Sequence, residues 1–105
     1  MRYRVEFSQR AVSQIESIYA YVRAHAGDQV AQRFATDIVD YCKGLAIFPR
    51  RGTRRDDLYP GVRTLGFRRR VTIAIEVSDD LVIIVGIFYG GQDIEAALSG
   101  RRSLD

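Results

Sequence analysis

The sequence has a single cysteine, Cys42, and a single histidine, His25. One thiol cannot close an internal disulfide and offers no zinc cluster. One histidine leaves no Ser-His-Asp set except through His25 itself. No phosphate-binding glycine loop with a lysine is present either. Lysine is nearly missing: Lys43 is the only one among 16 basic residues, the rest being arginine. The longest apolar run, Leu81 to Tyr89, is far too short to span a bilayer. The start, Met1-Arg2-Tyr3-Arg4-Val5-Glu6, holds no apolar signal-peptide core. These absences predict a reduced, cytoplasmic compartment, no membrane attachment, no metal and no cofactor.

What is present is a globular composition, 47% hydrophobic and 28% charged over 105 residues. That length predicts one domain, residues 1–105, with one modest core. The net charge of +3 hides an uneven distribution. Between Phe48 and Arg70 lie eight arginines against only Asp56 and Asp57, whereas the segment after Arg70 is acidic. A basic middle of this kind attracts an acidic protein surface or nucleic acid. Arginine suits forked pairing with carboxylates or phosphates better than lysine does.

Tyr3, Val5 and Phe7 alternate with charged residues, the period of a half-buried strand. Ser8 stands where a helix N-cap belongs. Val12, Ile15, Tyr19 and Val22 follow at helical spacing, with Ala26-Gly27 as the stop. Asp28 is the next N-cap candidate. Val30, Phe34, Ile38, Tyr41, Leu45 and Phe48 then recur every three or four residues, which predicts a second helix over 29–47. The short link makes the two helices an antiparallel hairpin. Pro49 to Gly61 holds both prolines and predicts a basic loop too polar to bury. Val62–Phe67, Val71–Val77 and Leu81–Tyr89 read as three strands, turning at Arg68-Arg69 and Ser78-Asp79-Asp80. The last strand is almost wholly apolar, as expected of a central strand. Gly90-Gly91 closes it, and Asp93 caps a short tail helix through Leu98. The sum is an α+β fold: an N-terminal strand, an antiparallel helical hairpin packed on one face, and a three-stranded antiparallel meander joined in one sheet.

Four local stretches resemble the RelE/ParE superfamily, in the same order and spacing. Tyr3-Arg4-Val5-Glu6-Phe7-Ser8-Gln9-Arg10-Ala11 is similar to its strand-to-helix start. Ile15-Glu16-Ser17-Ile18-Tyr19-Ala20-Tyr21-Val22 is similar to its first helix. Phe48-Pro49-Arg50-Arg51-Gly52 is similar to the end of its second helix, and Val82 through Asp93 to its last strand. The match runs from residue 3 to residue 98 and resembles the ParE branch best. That resemblance implies a toxin that inhibits DNA gyrase, stalls replication and arrests growth without a cofactor. It also implies a cognate ParD-like antitoxin in a hetero-oligomer with the toxin, the antitoxin wrapping it with a flexible segment. DNA would be bound only indirectly, through that antitoxin. RelE-like relatives share the fold but cut messenger RNA on the ribosome.

Each residue set has a plain structural reading beside the functional one. Arg63, Arg68, Arg69 and Arg70 could steady a scissile phosphate, because an arginine clamp stabilises charge building on phosphoryl oxygens. Arg63 and Arg70 align best with the family's phosphate-facing positions. A ribonuclease also needs a proton donor or acceptor, and with no histidine on the last strand only Tyr89 is left. Tyrosine is ordinarily a poor base at neutral pH. Pairing of these arginines with antitoxin or sheet carboxylates is the simpler reading. Arg50, Arg51, Arg54 and Arg55 read as a solvated loop or as a contact for an acidic partner, giving steering more than anchoring. Tyr89 and Gln92 stand where the family often has histidine and arginine, in an edge that lies near its functional surface. Tyr19, Tyr21 and Tyr41 have core spacing and read as packing, as does Cys42. His25 reads as a solvated helix-end residue. The expectation is therefore a gyrase inhibitor with no covalent chemistry of its own. The alternative is a ribosome-dependent endonuclease using Arg63, Arg70 and Tyr89.

Overall fold

Ser8 does two jobs at the first corner. Its Oγ accepts a hydrogen bond from the Ala11 N–H (3.0 Å), capping the first helix, and donates to the Val85 carbonyl (2.8 Å). A helix start is thereby fastened to a strand far along the chain. The computed structural model describes residues 2–102. Its elements are β1 (Arg4–Phe7), α1 (Gln9–Ala26), α2 (Asp28–Gly44), β2 (Thr53–Arg54), β3 (Val62–Phe67), β4 (Val71–Val77), β5 (Leu81–Tyr89) and α3 (Ile94–Arg102). The sheet order is β1-β5-β4-β3-β2, with β1 parallel to β5 and the other pairs antiparallel. The order of helices and strands is the predicted one, with one addition and several shifted boundaries.

The addition is β2, which pairs Thr53 and Arg54 with Thr64 and Arg63 inside the segment expected to be loop. That segment is also not too polar to bury. Leu58 and Tyr59 are 2% and 6% exposed, and Tyr59 hydrogen-bonds Glu76 through its hydroxyl. They belong to a second apolar cluster with Val62, Ala74, Val85, Phe88 and Leu98. The first cluster sits under the helical hairpin and includes Ile18, Ile38, Leu45, Ile73, Ile84 and Ile87. The sheet is therefore covered on both faces, by α1 and α2 on one side and by α3 with the 55–61 segment on the other. An apolar β5 follows from this, since each of its faces meets a core.

Asp28 is not the cap of α2. Gly27, at φ 93°, takes that position, and Asp28 is the first helical residue. Its carboxylate accepts from the Tyr19 hydroxyl and from Gln32. Asp93 does cap α3, accepting from the Ala96 N–H at 3.0 Å. The second helix stops at Gly44, short of the expected 47. Leu45, Ala46 and Ile47 turn tightly, their N–H groups bonding the carbonyls of Cys42, Lys43 and Gly44. Phe48 then leaves helical space altogether, at φ 55°. It precedes Pro49, whose ring disfavours the right-handed helical conformation in the residue before it.

Cys42 is fully buried, and burial pushes its thiol up to about 12. The thiolate is the reactive form. A disulfide-exchange reagent at pH 8 is expected to leave Cys42 untouched in the folded protein and to titrate it fully in denaturant. Rapid native labelling would show that the packing under α2 opens readily.

Candidate functional site

The basic residues divide into sets with different surroundings. Arg54 pairs with Asp56 at 3.0 Å. Arg55 forks onto Asp57, with N···O distances of 2.9 and 2.8 Å, and lies 3.9 Å from Glu95 of α3. The Arg55 guanidinium holds the Asp57 carboxyl below the usual carboxylate range. These two cations are thus neutralised locally, near α3. Arg50 and Arg51 behave otherwise. Arg50 donates to the Tyr3 hydroxyl (2.8 Å) and lies over its ring, and Arg51 lies 5.7 Å from the Tyr41 ring centre. Among the described residues, neither makes an ion pair.

Arg68, Arg69 and Arg70 form the β3–β4 turn. Arg68 and Arg69 adopt positive φ, 51° and 63°, a conformation that costs about 1–2 kcal/mol for a residue with a Cβ. Arg68 bonds Asp37 of α2 at 2.8 Å and stacks over Phe67. This pins the turn to the hairpin. The Arg70 carbonyl accepts from the Gly90 N–H, which brings the turn beside the end of β5. Tyr89 lies there, opposite Val71, which is itself opposite Phe67. Arg63 does not join them. It lies opposite Ile75, four positions back along β3, roughly 13 Å at strand rise.

Tyr89 sits in a run of rings that sequence spacing had assigned only to packing. Its ring centre is 5.5 Å from Tyr21 and 6.1 Å, edge-on, from Phe34. Phe34 approaches Phe67, which in turn lies 5.1 Å from Tyr41. At the other end His25 stacks on Tyr21, and its Nδ1 bonds the Tyr21 carbonyl at 2.8 Å. Such contacts hold rings in place beyond their area burial. Gln92 folds back so that its Oε1 accepts from the Tyr89 N–H (2.8 Å). Gln14, Ser17, Ile18, Tyr21, Tyr89 and Gln92 line a cleft of about 250 Å³ between α1 and the end of β5. Tyr21 and Phe34 were missed as neighbours of Tyr89, as was Phe67 beyond Phe34. Only the helical register of Tyr21 with His25, and of Phe34 with Tyr41, hinted at it.

A small apolar cleft of about 280 Å³ lies where the hairpin meets β1, lined by Phe7, Val12, Ile15, Glu16 and Val39. Val12 and Val30 are half exposed. Among the described residues, no group of three or more His, Cys, Asp and Glu is placed to hold a metal ion, and no helix is long and apolar enough to cross a membrane.

Solved structures share this architecture. A chain from the chromosomal ParDE toxin–antitoxin system of P. aeruginosa superposes with a TM-score of 0.74 at 24% identity, covering 85% of this chain and 97% of that one. A mutant of the E. coli toxin RelE in its free state gives 0.61 at 16% identity, covering 97% and 98%. A search of curated proteins gives no match. The fold is thus that of the RelE/ParE toxins. Within that class, the family model for the ParE toxin of the type II toxin–antitoxin system parDE matches residues 5–94, and the chain belongs to that family. Membership implies an antitoxin partner.

Proposed function

We propose that this ParE-type toxin inhibits DNA gyrase by protein–protein contact, with no covalent chemistry of its own. In the cytoplasm a cognate ParD-like antitoxin binds it in a hetero-oligomer, and DNA is engaged only through that antitoxin. The observation that carries the reading is the dispersal of the ribonuclease set. Arg70 lies beside the end of β5, but Arg63 is four strand positions from the Tyr89 row, and Tyr89 is wedged between Tyr21 and Phe34. A phosphoryl clamp needs its cations and its proton carrier converging on one atom. The exposed valines and the apolar cleft on the hairpin suit the amphipathic segment of an antitoxin.

Two measurements test this. Purified toxin added to gyrase is expected to stop supercoiling of relaxed plasmid, and unchanged supercoiling would sink the gyrase assignment. Replacing Tyr89→Phe keeps the ring and its stacking and removes only the hydroxyl. Growth arrest on induction is then expected to persist within about twofold. The ribonuclease alternative demands a loss of roughly a hundredfold or more, the usual effect of removing a general acid or base. Transcript cleavage abolished by Tyr89→Phe would establish that alternative.

A further inference from the structure

Phe48 combines two unfavourable features. The residue is 79% exposed, and its backbone sits at φ 55°, a region that residues with a Cβ avoid. A glycine would hold the same turn without strain and without an apolar ring in water. Ile47, 46% exposed, and Pro49 flank it. Together with Tyr3 and Arg50 they line a recess of about 390 Å³. Arg50 is held at its floor by a hydrogen bond to the Tyr3 hydroxyl, with the guanidinium carbon 5.9 Å from the ring centre. Most N–H donors of the Arg50 guanidinium point elsewhere. A fixed aromatic edge, an apolar recess and unpaired guanidinium groups are the features that dominate protein interfaces.

We propose that the Phe48 corner is an anchoring site for an acidic segment of the antitoxin, which seats an apolar side chain against Phe48 and sets carboxylates on Arg50 and Arg51. This rests on the toxin–antitoxin reading above and adds the contact point and the chemistry of the partner. Charge selects the occupant. A second copy of this chain would bring the same two arginines face to face across a two-fold axis. A nucleic acid strand would need a series of free ring faces, yet Phe48 and Tyr3 are the two rings that line this recess and the chain neighbours of Phe48 are aliphatic.

The test is calorimetric titration of the full-length toxin with its purified antitoxin, beside thermal unfolding of each toxin variant. Phe48→Gly is expected to weaken binding at least about tenfold while raising Tm by about 4 °C or more, since strain is relieved. Arg50→Glu is expected to weaken binding and flatten its salt dependence. Phe48→Leu should keep most of the affinity. Binding by Phe48→Gly within twofold of the parent overturns the proposal, as does a fall in its Tm. Two other results would also overturn it by reassigning the corner: a parent dimer that Phe48→Gly dissolves, or binding of a single-stranded oligonucleotide that Phe48→Gly abolishes. Failure of the parent toxin to bind any antitoxin is a different result, because it removes the broader reading and this one together.

Discussion

Gly52→Ala is expected to lower Tm by roughly 10–20 °C, the largest effect of any single methyl group added to this protein. A Cβ at this position would stand 2.3 Å from the Thr64 carbonyl oxygen and 2.8 Å from Leu65 Cγ. The first obstacle is backbone of β3 and cannot swing aside. The residue also sits at φ 79°, which adds about 1–2 kcal/mol for any side chain. Overpacking adds about 1–3 kcal/mol more. Relief requires β2 to lift from β3, which would release Arg50 and Arg51 from their places on Tyr3 and Tyr41. Gly44→Ala is the matched control. A Cβ there meets nothing within 4 Å at the end of α2, and the change is expected to stabilise slightly. Thermal unfolding of the two variants side by side decides the matter. Equal Tm values would mean that the close approach of residue 52 to β3 does not hold in solution.

Leu98→Ala is expected to cost about 2–4 kcal/mol and to raise binding of an apolar dye in the native baseline. Leu98 is fully buried in the second cluster, against the sheet face opposite the helical hairpin. The Arg10 guanidinium from α1 reaches the Ala97 carbonyl beside it at 3.0 Å. Truncation leaves a cavity where α3 is seated. Because α3 has few other apolar anchors, Ile94 and Ala97 being only partly buried, its cover of the sheet should loosen. Ile38→Ala under the hairpin provides the comparison, with similar destabilisation but no detached helix. A Leu98→Ala variant within about 0.5 kcal/mol of the parent would mean that α3 does not seal that face.

The helices were legible because their periods are clean, and β3, β4 and β5 because β-branched and apolar stretches run between turn signals. Ile15, Ile18 and Val22 on α1 and Phe34, Ile38 and Tyr41 on α2 repeat as a single buried stripe would. The end of α2 was not legible, because Leu45 and Phe48 continue the helical spacing while the chain has already turned. Leu45 is buried by that turn and Phe48 is expelled by it. The last strand hid a different feature. Its ladder with β4 slips by one residue, Ala74 facing Gly86 and Ile75 facing Ile84, so Val85 is an extra residue. The slip moves Ile87 and Tyr89 to the hairpin face and Phe88 to the other. In a run where nearly every residue is apolar, no alternation survives to show it. The backbone groups there are met by α1, through Ser8 on the Val85 carbonyl and Gln14 on the Ile87 N–H (2.6 Å). The concentration of arginines was visible from composition alone. Their division into paired and unpaired sets was not, since it depends on which carboxylates the turns bring within reach.

The pairing of β1 with β5 has a consequence for how the molecule comes into being. Residues 4–7 pair as a strand with residues 81–84, and Ser8 bonds a carbonyl 77 positions later. A growing polypeptide therefore carries β1 unpaired until residues 81–84 have been synthesised. Contacts so distant along the chain form slowly. Folding of the sheet waits for β5, and a product ending before Leu81 would lack the strand that joins β1 to β4. Such a fragment offers β1 nothing to pair with, so an interrupted round of synthesis yields no folded toxin.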